Sequence, residues 1–462
     1  MVTKELSLSR IAGPFKLPPF PDLVISPLGM VPKKETGKFR LIHDLSFPHC
    51  LSVNSFISDE SASVQYESLD KIVHLVQSFG PNCLMAKCDI EEAFRIIPIA
   101  PQDRHLLGFT FDDKFFFDKC LPMGCRSSCA IFETFSKALQ WVAIHKLQVS
   151  GISHILDDFI FVGPPNCQKV SHDLNSFLDF CSVTGIPIKH SKTVQPSTSI
   201  IAHGIKVDSA SMQISLPQDK LSNCMSLLSQ FQHKKKIQLR QLQSIIGLLN
   251  FACRVVRPGR AFLRRLIDLT KGVTHSHHYI RLNAQGRADI RAWLSFLQEH
   301  NGVSIFLEAQ WTHSEAIKLF SDASGAIGFA AVFGPKWLCA SWPSNLVNTH
   351  ITTKELFPIV LSIEIWGLHL SNKKVLFKCD NSAVVHIINN QTSKDAVTMS
   401  LVRRLVLASL RFNILFRAVH IPGRSNIIPD KLSRFQFQEA RKLAPWLEPT
   451  PTKIPATLFT LA

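Results

Sequence analysis

His154-Ile155-Leu156-Asp157-Asp158-Phe159-Ile160-Phe161-Val162-Gly163 places two adjacent carboxylates inside an apolar run of β-branched and aromatic residues. The alternation on either side predicts two short strands with the acidic pair at the turn between them. Burying such a pair is costly unless a cation compensates it. Upstream, Cys83-Leu84-Met85-Ala86-Lys87-Cys88-Asp89 reads as another apolar strand ending in a carboxylate. If Asp89 lies beside the hairpin, Asp89, Asp157 and Asp158 can hold two Mg²⁺ ions roughly 3.5–4 Å apart. Taken alone, the pair reads more simply as an ordinary Asp-Asp turn, so its surroundings have to decide.

Working outward, Ile25 to Asp44 reads as strand, turn, strand, with Glu35-Thr36-Gly37 as the turn signal and Lys33 and Arg40 as its basic residues. It is either a solvated basic hairpin or an anion grip, in which Arg40 offers a planar fork and Lys33 a point charge. Asp89-Ile90-Glu91-Glu92-Ala93-Phe94 continues from the first carboxylate, and Leu121-Pro122-Met123-Gly124-Cys125-Arg126-Ser127-Ser128 is a loop whose Gly124 permits a close backbone approach. Gly185 to Lys192 and Ile201-Ala202-His203-Gly204-Ile205 follow. Leu239 to Asn250 carries apolar residues at helical spacing. Around it crowd Lys234, Lys235, Lys236, Arg254, Arg257, Arg260, Arg264 and Arg265, read as arginines without matching acids that contact a phosphate backbone, or as a solvated helical face.

A second acidic set lies towards the C-terminus. Lys318 to Phe329 is an apolar strand ending in Asp322-Ala323-Ser324 that turns through Gly325 into another strand. Thr352-Thr353-Lys354-Glu355 reads as a threonine-capped helix start, with Leu356, Ile359, Val360 and Ile363 along one face and Pro358 tolerable only near the start. Val375 to Asp380 is a strand ending in a carboxylate, and His420 to Arg434 contains Asp430. Each acid singly reads as a surface residue or helix cap. All four, each at a predicted strand end or helix start, form a set of the hard oxygen ligands that Mg²⁺ prefers.

In this order the motifs resemble the palm of a reverse transcriptase followed by a ribonuclease H domain. The chain looks most like that segment of DIRS-type retrotransposons, retroelements with a tyrosine recombinase instead of an integrase, from about Leu23 to Pro455. The resemblance implies an α+β fold: a right-hand polymerase of fingers, palm and thumb, then a ribonuclease H-like mixed-sheet domain. It implies that Asp89, Asp157 and Asp158 ligate metal in the polymerase, and Asp322, Glu355, Asp380 and Asp430 in the nuclease, with two Mg²⁺ (or Mn²⁺) ions per site. By the same resemblance Lys33 and Arg40 grip the triphosphate of a dNTP, Phe94 closes the sugar pocket against a 2′-hydroxyl, and Gly124 lies on the loop that contacts template and nucleotide. Lys192 is implied as proton donor to pyrophosphate, and His420 as a mobile group near the product phosphate. The expected partners are an RNA template, a DNA primer and an RNA:DNA hybrid. Met123 stands where retroviral members have glutamine, Ile155 where they have tyrosine, and Pro429 where related elements often have a small residue; the primer-grip pattern at 201–205 has drifted.

Composition agrees with this organisation. A chain of 462 residues suits two or three domains, and its 46% hydrophobic content can fill their cores. The net charge of +16 calls for a polyanionic partner. Membrane-surface binding would need the same charge, but no apolar stretch reaches spanning length and the N-terminus lacks a secretory pattern. The 12 cysteines lack metal-finger spacing and suggest buried, reduced thiols of a cytoplasmic or nuclear protein. The expected divisions are a Pro-rich lead at 1–22, fingers and palm at 23–205, thumb and connection at 206–310, ribonuclease H at 311–436, and an extended Pro-rich tail at 437–462. With no protease, integrase, capsid or recombinase pattern, the chain reads as a fragment of an element's coding capacity or a copy that has lost its neighbours. Two functions stay open: an RNA-directed DNA polymerase with ribonuclease H activity, or a decayed or domesticated copy that binds nucleic acid without polymerising. Oligomeric state is not legible.

Overall fold

The computed structural model describes residues 1–32, 37, 39–299, 303–305, 312–313 and 319–459; of residues 257, 258, 299, 303–305 and 312–313 it describes the backbone alone. Lys33 therefore lies outside the described residues, as does the side chain of Arg257. The chain divides into two compact units, Met1–His203 with Val207–Ser211, and Gly204–Lys206 with Met212–Ala462. The expected thumb and ribonuclease H segments share the second unit.

The first unit is built around a four-stranded antiparallel sheet in the order Ile152–Ile155, Asp158–Gly163, Leu84–Asp89, Val194–Ser197. Strand periodicity assigns its faces. Ala86, Cys88, Phe159 and Phe161 pack with Phe132, Leu139 and Ala143 of the helix Ser128–His145 and with Val170, Leu174 and Phe177 of the helix Lys169–Val183. Lys87, Asp89 and Asp158 alternate with that core set and so belong to the opposite face. Truncating fully buried Phe159 to Ala would cost about 3–5 kcal/mol, enough to threaten the whole sheet. The strands Leu28–Pro32 and Phe39–His43 pair antiparallel, forming the expected basic hairpin.

Residues 1–22, the Pro-rich lead, belong to the first unit and contribute to its packing. Val2–Ser7 is helical, and the strand Ile11–Phe15 pairs antiparallel with Lys114–Asp118. The reason is apolar: Val2 and Ile11 bury against Phe109 and Phe116.

In the second unit, the strands Leu319–Ala323, Gly328–Phe333 and Lys336–Ser341 are antiparallel, and Lys374–Cys379 pairs in parallel with Thr312–His313 and Leu415–His420. The helix Ile351–Trp366, apolar nearly all round, is buried against the first of these strands and against the helix Ala396–Arg411. Its N-cap is His350, whose side chain accepts from Thr352 N–H, so the cap lies two residues before the expected threonine cap. Pro358 then sits in the second turn or beyond, further inside than its missing N–H led us to expect. Asp289, on the helix Ala284–Glu299, is buried between Arg265 at 3.5 Å and Arg403 at 3.4 Å, tying the segment around residue 265 to the helix Ala396–Arg411.

The tail is also corrected. Phe437–Leu443 is a helix, and Ala440, Ala444 and Leu447 bury against Ala330, Val332 and Trp337. Trp337 Nε1 donates to the Glu448 carbonyl at 2.8 Å, and Arg404 Nη2 to that of Leu458 at 2.9 Å. Proline content favours extended backbone, but two alanines ahead of the prolines and Leu447 between them supply apolar area that the sheet covers.

Candidate active sites

Asp89 and Asp158 are direct partners in the antiparallel register, and Asp157 lies in the two-residue turn just before Asp158. The turn begins with Leu156 at φ 51°, a left-handed backbone that costs a leucine about 1–3 kcal/mol. Two residues of the helix Ser128–His145, one turn apart, hold it there. Leu156 N–H donates to Glu133 Oε2 at 3.0 Å, and Ser136 Oγ donates to the Leu156 carbonyl at 2.8 Å. Glu133 is itself buried, with Oε1 3.3 Å from His154 Nε2. Glu67 accepts from Ser153 Oγ at 2.7 Å and from His154 N–H at 3.1 Å, fixing the first strand of the hairpin. Neither Glu67, Glu133 nor Ser136 was singled out from sequence, although Glu133, Ser136 and Gln140 recur at helical spacing among apolar neighbours and so signal a polar stripe facing the core.

Charge at this site is unbalanced. Burial, then the neighbouring Asp89, pushes the Asp157 carboxyl above the ordinary aspartate range. Burial likewise raises Asp158, against the pull of Lys87. Lys87 Nζ donates to Asp158 Oδ2 at 2.9 Å and Lys192 Nζ to Asp89 Oδ2 at 2.7 Å. Burial works to lower the Lys192 ammonium, but the hydrogen bond and charge of Asp89 outweigh it and raise the pKa. Asp158 Oδ1 is buried without a hydrogen-bond partner. Three carboxylates on one strand pair, one with an orphaned oxygen, are a donor set that fits hard divalent cations.

Around this centre, Phe94 lies in the short helix Ala93–Ile96, half-buried, its ring edge-on to Phe132 at 5.6 Å. Arg40 is exposed on the hairpin. Gly124 has φ +128°, and a Cβ there would fall 1.8 Å from the His43 carbonyl oxygen. The close approach that requires glycine is thus to the chain's own strand Phe39–His43, whose His43 N–H donates to the Met123 carbonyl at 2.9 Å. Asn54 donates to the Gly124 carbonyl at 2.8 Å and accepts from Arg126 N–H at 2.8 Å, so the loop is stitched on both sides. His43 in turn meets buried Asp118 at 3.0 Å, which also binds Arg95 at 2.7 Å.

The second acidic set converges within the second unit. Asp322, next to last in its strand, is 6% exposed and accepts from Ser433 Oγ at 2.7 Å, with Asn426 Nδ2 3.5 Å from its other oxygen. Burial, and then the charges of Asp380 and Asp430 against the Ser433 hydrogen bond, push the Asp322 carboxyl up to about 6. Glu355 is 8% exposed. Burial, followed by Asp322, Asp380 and Asp430, pushes it up to about 9. Asp430, on the helix Ile427–Ser433, is bound by Arg434 Nε at 2.8 Å. Pro429 is buried in that helix, and the helix is intact around it. Asp380 Oδ1 is buried without a partner, and His420 Nε2 lies 3.1 Å from the Asp380 carbonyl oxygen. Like charges crowded out of water, with an unsatisfied oxygen, fit cations better than protons alone. Ser433, Asn426 and Cys379 were not singled out from sequence.

The basic set is only partly free. Lys234, Lys235, Lys236 and Arg260 are exposed. Lys234 lies over Phe231 and Arg254 over Phe251, at 4.5 and 5.6 Å from the ring centroids. Arg264 and Arg265 do have matching acids, contrary to the sequence reading: Asp268 at 3.2 Å and Asp289 at 3.5 Å. Arg265 serves packing, because an unpaired buried Asp289 would be prohibitively costly. Among the described residues no helix is long and apolar enough to cross a membrane.

Mixed α/β units with this palm sheet are a right-hand polymerase fold, and residues 31–213 match the family described as reverse transcriptase (RNA-dependent DNA polymerase). Among curated proteins, the transposon Tf2-3 and Tf2-7 polyproteins of Schizosaccharomyces pombe are 21% identical over 430 residues, an alignment covering 88% of this chain and 29% of each of theirs. The chain thus spans under a third of the length of these relatives. Among solved structures, the foamy viral protease-reverse transcriptase in complex with dsDNA superposes with TM-score 0.51 at 16% identity, covering 90% of this chain and 81% of that one. The same enzyme in complex with RNA/DNA hybrid gives TM-score 0.52 at 15% identity, covering 98% and 54%. Residues 31–213 are accordingly similar to the reverse transcriptase domain, in a chain similar to part of retrotransposon polyproteins.

Proposed function

We propose that the chain is an RNA-directed DNA polymerase of a retrotransposon, with a ribonuclease H activity in its second unit. The observation that carries the first part is the register pairing of Asp89 with Asp158, with Asp157 in the adjoining turn. Asp89, Asp157 and Asp158 would hold Mg²⁺ or Mn²⁺, which supplies charge stabilisation for phosphoryl transfer. Arg40 would bind the dNTP phosphates, Phe94 would exclude a 2′-hydroxyl, and Lys192 would donate a proton to the leaving pyrophosphate. For the second part, Asp322, Glu355, Asp380 and Asp430 would hold the metal, and His420 would stand by the product phosphate. Exposed Lys234, Lys235, Lys236 and Arg260 would contact the phosphates of template, primer or RNA:DNA hybrid. A DIRS-type source and a cytoplasmic or nuclear setting are the finer readings, supported by the motif order and by the 12 free thiols.

The test is extension of a labelled DNA primer on an RNA template by purified full-length chain, with Mg²⁺ and Mn²⁺ separately, alongside cleavage of the RNA strand of a labelled hybrid. Extension and cleavage together support the reading. Nucleic-acid binding without either would leave the non-catalytic alternative.

A further inference from the structure

The nuclease carboxylates have a neighbour of different chemistry. Cys379 Sγ, a Glu355 carboxylate oxygen and an Asp380 carboxylate oxygen all lie within 4.8 Å of one another. Val375, Phe377 and Cys379 are the buried residues of the strand Lys374–Cys379, so the thiol enters the site as the last of an inward-facing series. Two observations indicate that this corner accepts a ligand. Asp380 Oδ1 is buried with no hydrogen-bond partner, and Glu355, only 8% exposed, is crowded by the like charges of Asp322, Asp380 and Asp430.

We propose that Cys379, Glu355 and Asp380 bind a thiophilic divalent cation, zinc or cadmium, and that this ion blocks RNA cleavage by taking two of the four nuclease carboxylates. The donor set decides the selectivity. Mg²⁺ takes oxygen ligands and gains nothing from sulfur, whereas one thiolate with two carboxylates suits Zn²⁺ and Cd²⁺. The reach is right: zinc bonds of about 2.0–2.3 Å in tetrahedral geometry put ligand atoms roughly 3.3–3.8 Å apart, a modest side-chain adjustment from the observed spacing. Binding stands on the donor set alone, and only its effect on cleavage rests on the ribonuclease reading.

Cadmium added to the full chain is followed by thiolate-to-cadmium absorption in the ultraviolet, for wild type, Cys379→Ser and Cys379→Ala. The other eleven cysteines contribute equally to all three. The expected result is one saturable component present in wild type and missing from both variants, each with an unchanged far-ultraviolet circular dichroism spectrum. In parallel, zinc is titrated into hybrid cleavage under excess Mg²⁺. Replacing a ligand should raise the half-inhibiting zinc concentration at least about tenfold. Cadmium spectra identical in wild type and both variants, or zinc inhibition unaffected by Cys379→Ser, would overturn the proposal. If wild type cleaves no RNA, the ribonuclease reading fails while the absorption still decides the metal site.

Discussion

Glu133 accepts the backbone N–H of Leu156 at 3.0 Å, the residue that opens the turn carrying Asp157. With Ser136 gripping the same residue's carbonyl, both polar groups of a left-handed leucine are satisfied from one helix face. Glu133→Ala should lower single-nucleotide extension turnover by about 10–100-fold with a smaller change in dNTP KM, because a slightly misplaced carboxylate disturbs the chemical step more than binding. Glu133→Gln keeps an acceptor oxygen and should recover most of it. Pre-steady-state extension by both variants is the measurement, and an alanine variant as fast as wild type would remove Glu133 from the positioning role.

Asp157→Asn keeps the size and removes a ligand charge. Primer extension should fall below detection while the RNA cleavage proposed for the carboxylates of the other unit is largely retained. Undiminished extension would show that this turn is not the polymerase centre.

Phe94 is half-buried against Phe132, so its ring is held rather than free to swing. Phe94→Ala should raise ribonucleotide relative to deoxyribonucleotide incorporation, since the steric clash that discriminates is removed. The ratio of the two incorporation efficiencies measures this directly; an unchanged ratio would make Phe94 a packing residue only.

Asp380→Asn should abolish degradation of the RNA strand in a hybrid and leave DNA synthesis on a single-stranded template intact, because the carboxylates of the two centres lie in separate compact units. Both activities are read from one preparation on a denaturing gel. Normal cleavage would exclude Asp380 as a ligand.

Glu355 and Asp322 also make a pH prediction for metal-free protein. Burial raises Glu355 from its ordinary 4.5 to about 9, so the folded state binds its proton more tightly than the unfolded chain does. Its contribution to stability is therefore full below pH 4.5 and lost as pH rises towards about 9. Asp322, raised to about 6, adds a loss of the same sign at lower pH. Thermal melts in EDTA should show stability declining across this window, with Glu355→Gln flattening the slope and Mg²⁺ restoring stability at the alkaline end. A Glu355→Gln slope equal to that of wild type would contradict the buried-acid account.

The acidic pair, its strands and their partner strand were legible because a period of two with β-branched and aromatic residues leaves little choice of register. The same held for Asp322 and Asp380 at strand ends. The clamp by Glu133 and Ser136 was not, since its hydrogen bonds join residues some twenty positions apart on a helix and a hairpin. Arg264 and Asp268 are four apart, and that pairing was visible in the sequence; Asp289, paired with Arg265, needed the fold to bring it in. Gly124 was expected to let the backbone approach a base or sugar; the approach the structure shows is to the His43 carbonyl, which lies far back in the chain. The segment after 436 was misjudged as extended because its prolines hid a few apolar residues, such as Ala440 and Leu447, that pack.

The last of these has a practical consequence. Thr452 N–H donates to the Trp337 carbonyl at 2.6 Å, and the Phe459 ring lies 6.5 Å from those of Phe329 and Phe357. Residues 437–459 therefore behave as a belt fastened across the antiparallel sheet of the second unit. A protease trimming the chain behind Gln436 would strip indole and phenyl surface bare, and the remnant would precipitate rather than survive as an independent unit.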